Sequence, residues 1–112
     1  MKITNSMFSL SLVLAVFSGF NVSAADQSIC HPGAKVSLYD SGSLKACQLE
    51  KDYDANGIQC KSNNPVSFYN NGNLESCALA TPAAIDTNKC KEDGLISFFI
   101  DGKLKACVKP NN

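Results

Sequence analysis

The stretch Val66-Ser67-Phe68-Tyr69-Asn70-Asn71-Gly72-Asn73-Leu74-Glu75-Ser76-Cys77 reads as a β-hairpin. A β-branched and aromatic run leads into Asn-Gly, and a second apolar-polar run leads away from it. Asn-Gly signals a tight turn with positive φ, where glycine has no Cβ to clash. Thirty residues earlier stand Val36-Ser37-Leu38-Tyr39, Gly42, Leu44 and Ala46-Cys47; thirty later stand Ile96-Ser97-Phe98-Phe99, Gly102, Leu104 and Ala106-Cys107. A two-residue type I′ turn pairs Tyr39 with Leu44 and Val36 with Cys47. A three-residue loop with a glycine bulge pairs Leu38 with Leu44 instead and exchanges the faces. The residues allow both.

The cysteines keep the same frame, Cys30, Cys60 and Cys90 in one series and Cys47, Cys77 and Cys107 in the other. Ungapped recurrence at a fixed period is the signature of tandem units. The sequence therefore predicts an all-β chain of three tandem hairpin copies, about residues 30–59, 60–89 and 90–112, stapled by disulfides into an antiparallel, solenoid-like meander. The segments between hairpins, Gln48 to Gln59 and Ala78 to Lys89, differ more and read as loops, with a short strand near Ile58-Gln59-Cys60.

The run Phe68-Tyr69-Asn70-Asn71-Gly72-Asn73-Leu74, echoed by Phe98-Phe99-Ile100-Asp101-Gly102-Lys103-Leu104, resembles the MORN-type repeat in its bacterial form. The resemblance covers roughly residues 35–50, 65–80 and 95–109. It implies hairpins that extend one twisted sheet, and it implies scaffolding or, in some members, contact with membrane lipid. The longer period, the paired cysteines and the lack of basic clusters depart from that pattern and weigh against lipid contact.

Residues 1–25 read as an export signal: Lys2, an apolar run from Met7 to Phe20, then small residues at Val22-Ser23-Ala24-Ala25. The apolar centre is shorter than the ~20 residues that a membrane span requires. Removing that segment leaves 87 of 112 residues, 26–112, as one small domain with all six cysteines. A chain of this size buries only about 60–65% of its unfolded surface, so a disulfide framework is expected, and with it a secreted or periplasmic location. Zinc does not fit, for there is no Cys-x-x-Cys pair and only one histidine.

Composition excludes several partners. Residues 26–112 hold nine Lys, no Arg and ten acids, a net charge of −1, and there is no Trp. Without arginine or positive excess, nucleic acid and strong membrane binding are not expected. Asp52-Tyr53-Asp54-Ala55-Asn56-Gly57 matches the first half of a calcium loop, with Asp52, Asp54 and Asn56 as candidate ligands, but Asn63 stands where a bidentate Glu belongs. A polar turn is the favoured reading, and no cofactor is expected. His31 beside Cys30 suggests a catalytic pair, yet a disulfide-bound sulfur is no nucleophile. The expectation is a non-enzymatic chain with no catalytic residues.

Two pairings respect the copies. One joins Cys30–Cys47, Cys60–Cys77 and Cys90–Cys107; the other joins Cys47–Cys60 and Cys77–Cys90. Six extended residues separate Cys30 from Val36 and span about 20 Å, beyond disulfide reach unless the chain doubles back at His31-Pro32-Gly33. A reversal between Tyr53 and Asp54 sets Cys47 opposite Cys60, so the between-copy pairing is favoured. The aromatics Tyr39, Tyr69 and Phe99 recur once per copy, on the face opposite Phe68 and Phe98. They are the candidate partner-contacting column, unless loops fold over them. The function expected is an exported binding or envelope-structural module that presents a sheet to an unknown protein or envelope component. The alternative is a small secreted inhibitor or hydrolase-like protein acting through 50–57 and 80–88.

Overall fold

The computed structural model describes residues 26–111; the export-signal reading of residues 1–25 lies outside them. Six strands form one antiparallel sheet: β1 (Ser37–Leu38), β2 (Leu44–Gln48), β5 (Pro65–Phe68), β6 (Leu74–Ala78), β9 (Leu95–Phe98) and β10 (Leu104–Cys107), in the order β1-β2-β5-β6-β9-β10. Between them lie two small hairpins, β3 (Tyr53–Ala55) with β4 (Ile58–Cys60), and β7 (Ala83–Ile85) with β8 (Asn88–Cys90). A 3₁₀ turn at Gln27–Ile29 is capped by Asp26, whose carboxylate accepts the Ser28 N–H.

Each large hairpin turns on three residues. The Gly42 N–H donates to Tyr39 O (2.8 Å), the Tyr39 N–H to Ser43 O (2.9 Å), and only the glycine has positive φ, 94°. The turns ending in Gly72 and Gly102 repeat this bonding, so the type I′ reading is replaced by a type I turn closed on a left-handed glycine. Leu38 then pairs with Leu44, but Ser37 pairs with Ala46, because Lys45 bulges out of the ladder. Glu75 and Lys105 occupy the same bulge position. The bulge joins one pairing from each alternative: Phe68 faces Leu74 near the turn, as the three-residue loop requires, yet Val66 faces Cys77 beyond it. It also puts Leu44, Cys47 and Leu49 on one buried face, at a spacing that plain alternation would not give.

That face is the core. Val66, Phe68, Leu74, Cys77, Ile96 and Phe98 are buried, and the small hairpins pack over them through Ala55, Tyr53, Ile58 and Ile85. The Tyr53 ring meets Phe68 edge to face at 6.3 Å. No polar or charged side chain is buried among the described residues.

The disulfides join Cys30–Cys47, Cys60–Cys77 and Cys90–Cys107, with Cα separations of 5.5–5.8 Å, and none of the six cysteines is free. The favoured between-copy pairing is thus overturned. The chain does double back before each β1-type strand: Gly33, Asn63 and Asp93 take positive φ of 80°, 61° and 69°. These turns lay Cys30 beside Leu49 and Cys60 beside Leu79, next to their partner sulfurs. The other premise fails too, because the reversal lies at Asn56-Gly57, both at positive φ, and sets Tyr53 rather than Cys47 opposite Cys60.

Candidate functional site

The small hairpins cover only one side of the six-stranded sheet. Strand pairing sets out the other side in rows. Ser37, Ala46, Ser67, Ser76, Ser97 and Ala106 stand side by side across all six strands. Small side chains keep this middle row low. Towards the glycine turns it is flanked by Tyr39, Tyr69 and Phe99, one in each large hairpin. Towards the other end lie Gln48 opposite Pro65 and Ala78 opposite Leu95.

The aromatic column is not uniform. The Tyr39 hydroxyl donates to Phe68 O (2.7 Å), and the Tyr69 hydroxyl to Phe98 O (2.8 Å). Each phenol thus ties its own hairpin to the next, and both rings are half-buried. Replacing either by serine would remove a contact between hairpins, so such a variant cannot be taken as neutral to the fold. Phe99 has no hydroxyl and is 49% exposed. Lys105 Nζ lies 5.7 Å from the centre of its ring, as Lys45 Nζ lies 5.5 Å from that of Tyr39. Glu75 takes the matching place beside Tyr69, so the sign of charge alternates along the column.

Exposed apolar side chains gather at one end of the molecule. Leu95, Phe99, Ile100 and Val108 are 58%, 49%, 56% and 45% exposed, and among the other described residues only Leu38 is comparable. Sequence reading found Phe99 but missed Leu95 and Val108. Leu95 faces outward by plain alternation with the buried Ile96 and Phe98, whereas the exposure of Val108 follows from the bulge register, which sends Cys107 inward and its neighbour outward. A second signal lay in Gly94: a Cβ there would come 2.8 Å from the Val108 Cβ, so glycine makes room for that valine.

The candidate calcium ligands hold the backbone instead. Asp52 accepts the Ser62 N–H (2.8 Å) and Asp54 accepts the Gly57 N–H (2.7 Å), closing the hairpin whose turn is Asn56-Gly57. Among the described residues no three His, Cys, Asp or Glu side chains are grouped as metal ligands. His31 is exposed, with its main-chain N–H on Gln48 O, and Cys30 beside it is in a disulfide. Segments 50–57 and 80–88, read as loops, instead run into the small hairpins as β3 and β7, and Ala55, Ala83 and Ile85 pack on the core.

Burial, aided by the nearby Asp26 and Asp54 charges, pushes the Tyr53 phenol up. The Asp93 carboxylate, bonded to the Lys61 ammonium, raises that amine, and Ser28 lowers Asp26. Among the described residues no helix is long and apolar enough to cross a membrane. No protein-family model, no curated protein and no solved structure matches this chain.

Proposed function

We propose that this chain is an exported, non-enzymatic binding or envelope-structural module that meets a macromolecular partner with the outer sheet face of its last copy. One observation carries the reading: among the described residues, four of the five exposed large apolar side chains lie in residues 95–108, on or beside a sheet side that no other described element covers. Contiguous exposed apolar surface on a small domain commonly marks an interaction site. The three disulfides accord with an oxidising compartment. The resemblance to MORN-type repeats accords with a scaffold role. The inhibitor reading needs a protruding loop, whereas the segments named for it run into short hairpins anchored on the core through Ala55, Ala83 and Ile85.

The test is photo-cross-linking in the protein's own envelope fraction. A photoreactive residue at Ser97, in the middle row, is expected to give a discrete adduct that Phe99→Ser abolishes, whereas the same probe at Thr87, on a small-hairpin turn, gives none. Equal adducts from both positions, or adducts indifferent to Phe99, would refute the reading.

A further inference from the structure

Strands add to one another here in a single register. β5 lies on β2 with Val66 opposite Cys47 and Ser67 opposite Ala46; β9 lies on β6 with Ile96 opposite Cys77 and Ser97 opposite Ser76. A leucine plugs the end of each junction. The Leu49 N–H donates to Asn64 O (3.0 Å) and Leu49 O accepts the Asn63 N–H (2.8 Å); Leu79, Gly94 and Asp93 repeat this. Both leucines are fully buried. Across the second junction the Lys61 ammonium also pairs with Asp93.

Among the described residues β10 is bonded to β9 alone, so its other edge is open. Leu104 and Cys107 there are less covered than Leu74 and Cys77, their counterparts in β6. Lys91 stands thirty residues after Lys61, yet the Lys61–Asp93 pair is the sole ion pair among the described residues. Lys109, which takes the leucine-plug position, and Lys103 are exposed at the same edge.

We infer that the open edge of β10 takes up an extended, acidic segment of another protein as an added strand, in the register of the internal junctions. The segment places a β-branched residue opposite Cys107, a small residue opposite Ala106 and an aromatic residue towards Leu104. A carboxylate three residues before the β-branched one meets Lys91, as Asp93 precedes Ile96 and meets Lys61. In strand addition, main-chain hydrogen bonds supply affinity and alternate side chains supply selectivity.

A second copy of the chain is the poorer occupant. In this register its β1 sets Lys35 opposite Val108 and next to Lys109, and puts Gly33 where Lys91 needs a carboxylate. Lys109 cannot plug the junction as Leu49 and Leu79 do, and lysine on an edge opposes self-pairing. Phe99 also lacks the hydroxyl with which Tyr39 and Tyr69 hold the following hairpin.

This inference rests on the binding reading above and names its partner. It is tested by titrating a peptide with the sequence of residues 92–101, the segment that already docks on β6, into the oxidised, isotope-labelled chain. Saturable amide shifts are expected at Lys91 and Leu104–Lys109. Lys91→Glu weakens binding about fivefold, the scale of a solvent-exposed ion pair, and Lys51→Glu leaves it unchanged. A peptide carrying Ile96→Ser binds about tenfold more weakly, since burying the isoleucine supplies most of the apolar gain. No shift in β10 at millimolar peptide, shifts centred on β6, or a peptide-independent dimer formed through β10 would each overturn it. Phe99-dependent cross-linking that persists after such a failure leaves the broader binding reading standing.

Discussion

Replacing Cys60 and Cys77 together by alanine removes the central staple, and replacing Cys90 and Cys107 removes the terminal one. Both close loops of sequence separation 17, so the chain entropy lost from the unfolded state is the same for each, about 3 kcal/mol. Packing separates them. Cys60 and Cys77 are 0% and 1% exposed, whereas Cys90 is 1% exposed but Cys107 is only partly buried. Each fully buried sulfur lost leaves a void costing about 1 kcal/mol. The central pair is then worth about 5 kcal/mol and the terminal pair about 4, large against a total of about 5–15 for a small domain. At about 4–8 °C per kcal/mol, the central variant melts at least about 20 °C below the parent and about 4–8 °C below the terminal variant. Thermal unfolding of oxidised protein, followed by circular dichroism, measures both. If the terminal variant melts as low as the central one, or the central variant shifts by only a few degrees, the reasoning about buried sulfur is wrong.

Three further outcomes follow from single side chains. Tyr69→Phe keeps the ring and loses only the bond to Phe98 O, so denaturant titration is expected to show a loss of about 1 kcal/mol; no loss would mean that the phenol does not tie the hairpins. Gly94→Ala drives a Cβ into the Val108 side chain and is expected to cost about 1–3 kcal/mol, recovered in part by Val108→Ala in the same chain; a neutral Gly94→Ala refutes the close approach. The raised Tyr53 phenol favours the folded state while neutral, so its contribution is full below the ordinary tyrosine value of 10.0 and is lost as pH climbs above it. Stability measured across the alkaline range is expected to fall less steeply in Tyr53→Phe than in the parent, and equal slopes would refute the assignment.

Much of this fold could be read from residues whose meaning is local. Gly42, Gly72 and Gly102 marked the large hairpins, and the thirty-residue frame put Phe68 and Phe98 on one face and Tyr39, Tyr69 and Phe99 on the other. The errors came where conformation is carried by residues that do not require it. Asn63 and Asp93 turn the chain at positive φ as Gly33 does, but Lys61-Ser62-Asn63-Asn64 carries no glycine to announce it. Asn56-Gly57 did announce a turn, yet the attempt to bring Cys47 to Cys60 put the reversal between Tyr53 and Asp54. The bulge at Lys45, Glu75 and Lys105 has no signature of its own, since any side chain can occupy it, and without it the outward position of Val108 cannot be assigned. The phenol-to-carbonyl ties were invisible for the same reason, since they join residues whose distance is set by how hairpins stack.

The within-copy pairing of the cysteines holds all of this together, because it fixes the turns at Gly33, Asn63 and Asp93 and through them the register of every junction. Lysines fall so that a lysine-specific protease, acting on unreduced protein, leaves each cysteine on a separate peptide. Mass spectrometry of that digest is predicted to find the peptide ending at Lys35 joined to residues 46–51, residues 52–61 joined to 62–89, and residues 90–91 joined to the peptide beginning at Ala106. Residues 46–51 joined to 52–61 would contradict it.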